Sequence, residues 1–222
     1  GFDTPTTFRE FNRAIAARVA LYAGRTSDIP GLLNDSFMDT SGDLDDGPYH
    51  FYSTAGVDLP NAVYRVPDQS EALVAHPSYT TDIRSGDTRA NKVAMRTTTA
   101  VLDGLQSDYD VVLYSSLASA IPIIRNEELI LMLAEANIGT DNAAAIAALD
   151  IIRGAHGLGA YSGGTTDADV TNELIYNRRY SLFGEGHRWV DMRRWNLLDQ
   201  LPIDRTGDDV WVEMPRPVSE TD

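Results

Sequence analysis

The chain has 222 residues, 43% of them hydrophobic and 23% charged, an ordinary composition for one globular domain or a large part of one. Its formal net charge of −15 makes nucleic acids and anionic membrane surfaces poor partners, because binding either requires a basic patch. The absence of cysteine excludes disulfides, thiol nucleophiles and cysteine zinc sites. No apolar run approaches the ~20 residues that a membrane-spanning helix needs.

The first 38 residues predict a pair of helices. Asp3 or Thr4 can cap a helix that has Pro5 at its first position and that ends at Gly24. The apolar residues at helical spacing in this segment are Phe8, Phe11, Ile15, Val19 and Tyr22. Ser27 is predicted to cap a shorter helix, whose apolar side holds Ile29, Leu32, Leu33 and Phe37. Such antiparallel pairs are the repeat unit of helical solenoids.

Residues 39–120 predict an irregular insertion. Periodicity fades here, and Gly, Pro, Asp, Ser and Thr interrupt short aromatic or β-branched runs such as PYHFY, AVYRV and DVVLY. A loop-rich region with a few short strands fits this pattern. Loops of this length inside a compact domain are usually functional or disordered, and the aromatic residues argue against disorder.

The aromatic residues of the insertion are the one positive chemical signal in the chain. They are Tyr49, Phe51, Tyr52, Tyr64 and Tyr79. Flat aromatic faces beside Asp, Asn and Arg suit amphipathic ligands such as sugars, which present C–H faces and hydroxyl edges. We therefore predict that these five residues bind the ligand. The alternative is a small satellite core beneath the loops.

Residues 121–222 predict further helix pairs and a tail. A helix from Arg125 to Gly139 and another from Asp141 to Gly154 form a second αα-hairpin. Thr166 and Asp169 resemble a capping box at the start of a long helix that continues to Leu198. The segment from Trp211 to Pro217 is predicted to be extended. The whole chain is thus predicted to be one mainly α domain.

The densest stretch of the sequence is ELIYNRRYSLFGEGHRWVDMRRWNLL, residues 173–198. On a continuous helix its apolar stripe would comprise Tyr176, Tyr180, Phe183, His187, Val190, Arg194 and Leu197. Glu185 with Arg188, and Asp191 with Arg194, have the spacing of ion pairs, while Gly184 and Gly186 suggest a bend or a close backbone approach. We interpret the charged and aromatic residues as a structural anchor, with ligand binding as the alternative: Arg178, Glu185, Arg188, Trp189, Asp191 and Arg194.

No catalytic residue is predicted. A glycosidase needs two carboxylates that converge within roughly 5–10 Å on one bond. The best pair is Glu185 and Asp191, but six positions of about 100° each place them about 120° apart on a straight helix.

No metal ligand set is predicted either, because the histidines are scattered and form no H-E-x-x-H motif. Asp43, Asp45 and Asp46 precede Gly47 as in a calcium loop, but Thr54 stands where an EF-hand needs glutamate. An acidic surface turn is the simpler interpretation, with incidental calcium binding left open.

The sequence resembles the SusD/RagB family over most of its length. The segments that carry the resemblance are PYHFYSTAGVDLPN, AHPSYTTDIRSGDTRANKV, RNEELILMLAEAN (125–137), AAAIAALDIIRGAHGL (143–158), NRRYSLFGEGHRWVDMRRW (177–195) and MPRPVSE (214–220). The EGHRW-x-D-M-R-R-W run is the most specific of these. Asn177 and Ser181 stand where the family tends to have glutamate.

The resemblance implies a fold of TPR-like αα-hairpins in an α/α superhelix with an irregular ligand-binding region. It also implies a non-enzymatic, surface-exposed outer-membrane lipoprotein that binds oligosaccharide or other polymer fragments and covers a TonB-dependent, SusC-like transporter. No cofactor is implied. A signal and a lipid-bearing cysteine are expected in the full-length protein but absent here, so the chain resembles the C-terminal part or a shortened form of such a protein. Ligand contacts vary in the family, and no binding residue transfers by motif.

Two other functions stay open at this point. A helical-repeat scaffold that binds protein partners would share the helix pairs, but it would have no use for an aromatic loop region. A glycoside hydrolase would depend on Glu185.

Overall fold

The computed structural model describes residues 1–214 and 216–217. Its helices and strands are α1 (Pro5–Tyr22), α2 (Ile29–Asn34), β1 (Tyr49–His50), α3 (Ser78–Asp82), β2 (Val93–Leu102), β3 (Leu105–Val111), β4 (Ile121–Pro122), α4 (Asn126–Asn137), α5 (Asn142–Ala155), α6 (Asp167–Ser181) and α7 (Arg188–Arg194). The predicted mainly α fold with a loop-rich insertion is confirmed.

Helix α1 begins as predicted but buries a different face. Thr4 caps it, and Thr4 and Thr7 form a reciprocal capping box around Pro5. The buried residues are the small ones: Ala14, Ala17, Ala20 and Leu21. The predicted stripe is wrong in part, since Phe8 and Val19 are exposed. Small side chains allow close approach of α1 to its neighbours, and this packing outweighs the simple apolar pattern.

Helix α2 is shorter than predicted. Ser27 lies within a 3₁₀ turn (Thr26–Asp28), and α2 has no side-chain cap, so the predicted capping by Ser27 is wrong. Pro30 occupies the first turn, where its missing N–H removes no helical hydrogen bond. Ile29 and Leu33 are buried against α1 and α4.

Helix α4 is the centre of the fold, and residues 124–132 are all buried. One side of α4, with Leu129 and Met132, packs in a cluster with α1 and α2. The other side, with Ile130 and Leu131, packs on α5 and α6. Each such aliphatic side chain contributes about 1.5–3 kcal/mol when buried. The capping of α5 by Asp141 and of α6 by Thr166 and Asp169 is confirmed.

The insertion contains two antiparallel strand pairs, β1–β4 and β2–β3. The PYHFY run contributes β1 and the DVVLY run contributes the end of β3, but the AVYRV run forms a turn and extended chain. Strand β2, with 10 residues, was not predicted. It is joined to β3 by Asp103 and Gly104, whose φ values of 51° and 82° are those of a type I′ hairpin turn.

The predicted continuous helix over residues 173–198 is wrong. Helix α6 ends at Ser181 and α7 begins at Arg188. Gly184 and Gly186 in the connection have φ values of 80° and 83°, a left-handed conformation that ordinary residues adopt only with strain. A Cβ atom on Gly184 would lie 2.3 Å from Cδ1 of Leu113. Both glycines therefore allow the turn, and Gly184 also allows the connection to approach Leu113 of the insertion closely.

Lys92 closes the end of α6. It is the only lysine of the sequence, and its Nζ donates hydrogen bonds to the carbonyl oxygens of Tyr180 (2.9 Å) and Ser181 (2.5 Å). A cation at the carboxyl end of a helix complements the helix dipole. Burial, together with the charge of Arg125, lowers the pKa of Lys92 to about 8.

None of the helices within the described residues is long and apolar enough to cross a membrane. Residues 211–214 form neither helix nor strand, and the Trp211 carbonyl accepts a hydrogen bond from Trp189 Nε1 at 2.8 Å. Pro215 and residues 218–222 lie outside the described part of the chain, so the predictions for the tail and for MPRPVSE fall partly on them.

Candidate functional site

Tyr49 lies at the base of the insertion. It begins β1, pairs with Pro122 across the sheet and donates a 2.6 Å hydrogen bond from its hydroxyl to the Asp45 carbonyl. Burial, with the nearby charge of Asp45, raises the pKa of Tyr49. The ring is half-buried and fixed by these contacts.

Phe51 and Tyr52 follow β1 and differ in exposure. Phe51 is 85% exposed, so its ring is free to contact a ligand. Tyr52 is half-buried beside Tyr114. Burial raises the pKa of Tyr114, with further contributions from Glu185 and Tyr52. Tyr114 was not among the predicted residues, although it ends the DVVLY run that the sequence pattern singled out.

Tyr64 lines an open cleft of about 440 Å³, here called the Tyr64 cleft, together with Arg65, Val66, Gln69, Ser70, Glu71 and Leu117. The side chains of Gln69, Ser70 and Glu71 form no hydrogen bond to other described residues. An aromatic ring beside unpaired amide, hydroxyl and carboxylate groups matches the C–H face and hydroxyl edge of a sugar.

Asn61 fixes the backbone that carries Tyr64. Its side-chain oxygen accepts hydrogen bonds from the backbone N–H groups of Val63 (2.8 Å) and Tyr64 (3.2 Å). Its amide donates to the Ser119 carbonyl at 2.8 Å, and its backbone N–H donates to the Leu117 carbonyl at 2.7 Å. Asn61 is fully buried. The sequence pattern around Asn61 indicates only a turn, so the structural role of this residue was not predicted.

Tyr79 is a core residue, which corrects its prediction as a ligand-binding aromatic. It is 3% exposed, and its ring packs against Tyr180 and Phe183 at centroid distances of 5.0 and 4.3 Å. Its hydroxyl donates to the Arg89 carbonyl at 2.8 Å. Burial raises its pKa. For this one residue the alternative of a satellite core beneath the loops holds.

The predicted anchor is divided between two ion-pair clusters. In the first, Arg178 donates from Nε and Nη2 to the two carboxylate oxygens of Asp191, at 2.7 and 3.1 Å. Arg194 bridges Asp191 and Glu135, which confirms the predicted pair of Asp191 with Arg194. Asp191 and Arg178 are both buried. This cluster joins α4, α6 and α7.

In the second cluster, Glu185 pairs with Arg125 at 2.9 Å and not with Arg188, so the predicted pair of Glu185 with Arg188 is wrong. Arg125 also binds Glu127 and donates to the Ser181 carbonyl at 2.6 Å. The helix break at Gly184 and Gly186 turns Glu185 toward α4, which explains the changed partner. Burial raises the pKa of Glu185 against the opposing charge of Arg125.

The acidic residues at the start of α4 are buried ion-pair partners. Glu128 binds Arg18 at 2.5 Å, and Glu127 lies 2.6 Å from Nε2 of His156. Burial acts to raise the pKa of Glu127, but the hydrogen bond from His156 and the charge of Arg125 hold it well below its usual value. The sequence indicated only a favourable helix dipole here.

A further buried arginine connects the insertion to α6. Arg89 pairs with Asp87 at 2.6 Å and donates to Asn177 Oδ1 (3.1 Å) and Ser181 Oγ (2.9 Å). Both acceptors stand where the resemblance led us to expect glutamate. Neutral acceptors suffice here because Asp87 already balances the guanidinium charge.

The remaining anchor residues, Arg188 and Trp189, begin α7 at the surface. Arg193 stacks over Trp189 at 5.5 Å. Arg188 is half-buried and makes no hydrogen bond or ion pair to the described residues. Within the described chain no group of three or more acidic or histidine side chains is arranged to hold a metal ion.

Comparison with known proteins identifies the family. A model of the SusD family matches residues 70–209, more than half of the chain, and the chain belongs to this family. No curated protein sequence matches the chain.

Solved structures share the fold. A SusD superfamily protein from Bacteroides vulgatus ATCC 8482 is 18% identical with a TM-score of 0.61, covering 85% of this chain and 52% of that protein. A laminarin binding SusD-like protein is 18% identical with a TM-score of 0.59, covering 83% and 54%. Surface glycan-binding protein A from Bacteroides uniformis is 14% identical with a TM-score of 0.54, covering 81% and 48%. The chain thus spans about half the length of these structures.

Proposed function

We propose that the protein binds oligosaccharides or other polymer fragments at the cell surface and passes them to a TonB-dependent, SusC-like transporter of the outer membrane. The observation that carries this proposal is the Tyr64 cleft, an open cleft on a chain of the SusD family in which one half-buried aromatic ring lies beside polar side chains that have no hydrogen-bond partner among the described residues. Two structural relatives that are named for binding laminarin or surface glycans support the choice of a glycan.

The acidic residues of the anchor are engaged in ion pairs, which supports a function of binding without catalysis. Glu185 is held by Arg125, and Asp191 is held by Arg178 and Arg194. A glycosidase requires one carboxylic acid and one carboxylate facing the same bond. Here each carboxylate has its own guanidinium partner, so the anchor offers no such pair.

The surface location and the transporter belong to the same proposal. We expect the full-length protein to carry a signal and a lipid anchor that hold this domain at the outer membrane. The acidic chain itself has little affinity for an anionic membrane surface, since its net charge is −15.

The binding site is tested by calorimetric titration with laminarin oligosaccharides and a panel of other soluble glycans. We expect Tyr64→Ala and Phe51→Ala each to weaken binding by about two- to ten-fold, the range of a single aromatic contact. Phe8→Ala is the matched control, because Phe8 is an exposed phenylalanine on α1, far along the chain from the insertion. Its affinity should equal that of the unmodified protein.

Absence of binding to any polysaccharide, peptide or glycoprotein fragment, by this chain and by the full-length protein, would refute the proposal. Binding that survives both aromatic substitutions would move the site away from the insertion. Retention of a protein partner with Tyr64→Ala and Phe51→Ala, but of no glycan, would favour the helical scaffold.

A further inference from the structure

A second cavity lies on the side of the molecule formed by α3, the α6–α7 connection and the residues after α7. Its volume is about 460 Å³. We call it the Arg188 cavity. The lining residues that matter for its chemistry are Ser78, Arg179, Phe183, Arg188, Trp189 and Gln200. It shares no residue with the Tyr64 cleft.

The two arginines of the cavity differ in how their charge is balanced. Arg179 pairs with Asp82 at 2.9 Å and donates to Ser78 Oγ at 2.8 Å. Arg188 has no acidic partner among the described residues, because Glu185, four positions from the end of α6, is bound to Arg125. Asp191, the other acid near Arg188, is occupied by Arg178 and Arg194.

The surroundings of Arg188 make an unbalanced charge unfavourable. Its side chain is partly removed from water, and Arg179 places a second positive charge nearby. Burial and the charge of Arg179 lower the pKa of Arg188. A guanidinium in such a setting gains more from an added anion than an exposed one, because charge interactions strengthen where water is excluded.

The other acid and base that line the cavity already have their own partners. His76 lies 2.8 Å from Asp204, and Asp82 is held by Arg179 and by Thr81. Among the charged side chains that line the cavity, Arg188 is thus the one without an oppositely charged partner in the described chain. This is unusual in a protein with a net charge of −15, whose surface field repels anions.

We propose that the Arg188 cavity binds the carboxylate or sulfate of an acidic sugar, with Arg188 receiving the oxyanion. The rings of Phe183 and Trp189 offer apolar surface to the sugar ring, and the Gln200 amide and Ser78 hydroxyl are within the same cavity for its hydroxyl groups. Planar guanidinium groups bind both oxyanions through paired hydrogen bonds.

The proposal is tested by calorimetric titration with three sugars that share one ring: galactose, galacturonic acid and galactose 6-sulfate. We expect the acidic sugars to bind and galactose to bind at least about ten-fold more weakly, the effect of one charge-assisted hydrogen bond. The two acidic sugars distinguish a carboxylate from a sulfate ligand. Equal binding of galactose, or binding of inorganic sulfate as tight as that of the acidic sugars, would overturn the assignment.

Three variants locate the site. Arg188→Gln should weaken binding of the acidic sugars about ten-fold or more, whereas Arg9→Gln, an exposed arginine of α1 outside the cavity, should leave it unchanged. Asp82→Asn releases Arg179 and should strengthen binding several-fold, which a purely structural role of these residues would not produce. Circular dichroism confirms folding of each variant.

If Arg188→Gln fails to fold, Asp82→Asn decides the question, and unchanged or weaker binding in that variant contradicts the proposal. Tyr64→Ala should retain affinity for the acidic sugar. Loss of that affinity in Tyr64→Ala would place the anion in the Tyr64 cleft and overturn the assignment to the Arg188 cavity.

Discussion

The ion-pair clusters of the helical side and the part of the insertion around Phe51 and Tyr64 treat their polar groups in opposite ways. On the helical side, Arg125, Arg178 and Glu127 are buried and bound to oppositely charged partners. In the insertion, Phe51 is almost fully exposed, and the side chains of Gln69, Ser70 and Glu71 near Tyr64 make no hydrogen bond within the described chain. Buried pairs specify a structure, whereas exposed aromatic and unpaired polar groups are available to a ligand. The ion-paired residues of the helical side are thus separate from the aromatic and polar residues of the insertion that we expect to bind a glycan.

The largest expected effect comes from removing the centre of the second ion-pair cluster. Arg125→Ala leaves the largely buried Glu185 without its guanidinium partner and removes one of the donors to Glu127 and to the Ser181 carbonyl, so we expect a loss of about 3–5 kcal/mol in the free energy of unfolding. Urea denaturation measures it. Arg193→Ala, on an exposed arginine, should change stability by less than about 0.5 kcal/mol. Equal effects of the two changes would mean that the buried pairs do not hold the helical side together.

A smaller effect is expected where the helical side meets the insertion. In Gly184→Ala the new Cβ would collide with Leu113, and the alanine would have to adopt a positive φ. We therefore expect the free energy of unfolding to fall by about 2–4 kcal/mol. Gly186→Ala is the matched control, since Gly186 has a similar φ but no atom within 4 Å of its Cβ position. Gly186→Ala should lower the free energy of unfolding by only about 1–2 kcal/mol, because alanine must adopt the same positive φ without a collision. A larger loss in Gly186→Ala would show that contact with Leu113 is unimportant.

A pH-dependent effect is expected from His187. Its Nδ1 lies 2.5 Å from the Tyr22 hydroxyl, and burial lowers its pKa. His187 is therefore protonated more readily in the unfolded chain than in the folded protein. The contribution of neutral His187 to the free energy of unfolding is fully present above about pH 6.5 and is lost as the pH falls through the lower folded pKa. Urea denaturation from pH 7.5 to 5.5 should show this decrease in the unmodified protein and a smaller one in His187→Gln. Identical pH profiles would contradict the assignment.

The smallest effect on stability is expected from Phe51→Ala. An exposed ring contributes little to folding, so we expect a change within about 0.5 kcal/mol, although glycan binding should weaken. Thermal denaturation and titration of the same sample separate the two quantities. A substantial loss of stability would assign Phe51 to the core and remove the contrast between the two regions.

The sequence predicted the parts of the fold that depend on local signals. The caps at Thr4, Asp141 and Thr166 are read from adjacent residues, and all three are confirmed. The hairpin of β2 and β3 could also have been found, because Asp103 and Gly104 form a strong turn signal between extended segments. The prediction failed there because Val93 is the one buried residue of β2, so the strand shows no alternation of apolar and polar residues.

Other features depend on contacts between distant segments and have no local signal. Tyr79 was predicted to bind a ligand because it lies in a loop-rich stretch, yet it is covered by Tyr180 and Phe183 from elsewhere in the chain. The partner of Glu185 is Arg125, 60 positions away, and neither residue indicates the other in the sequence. Only the bend at Gly184 and Gly186 brings Glu185 and Arg125 together. The two glycines indicate a bend in the sequence, but they do not indicate its direction.

Lys92 gives this chain a natural chemical reporter. A primary amine reacts with acylating reagents only when it is unprotonated and accessible, and the one lysine of the chain is bound to the last carbonyls of α6. Acylation at this residue therefore requires the amine to leave these carbonyls, and the rate of modification at Lys92, followed by peptide mass spectrometry, would measure how often this contact between the insertion and α6 opens. The reaction of this one side chain would thus report the rate at which the contact with α6 opens, without any introduced label.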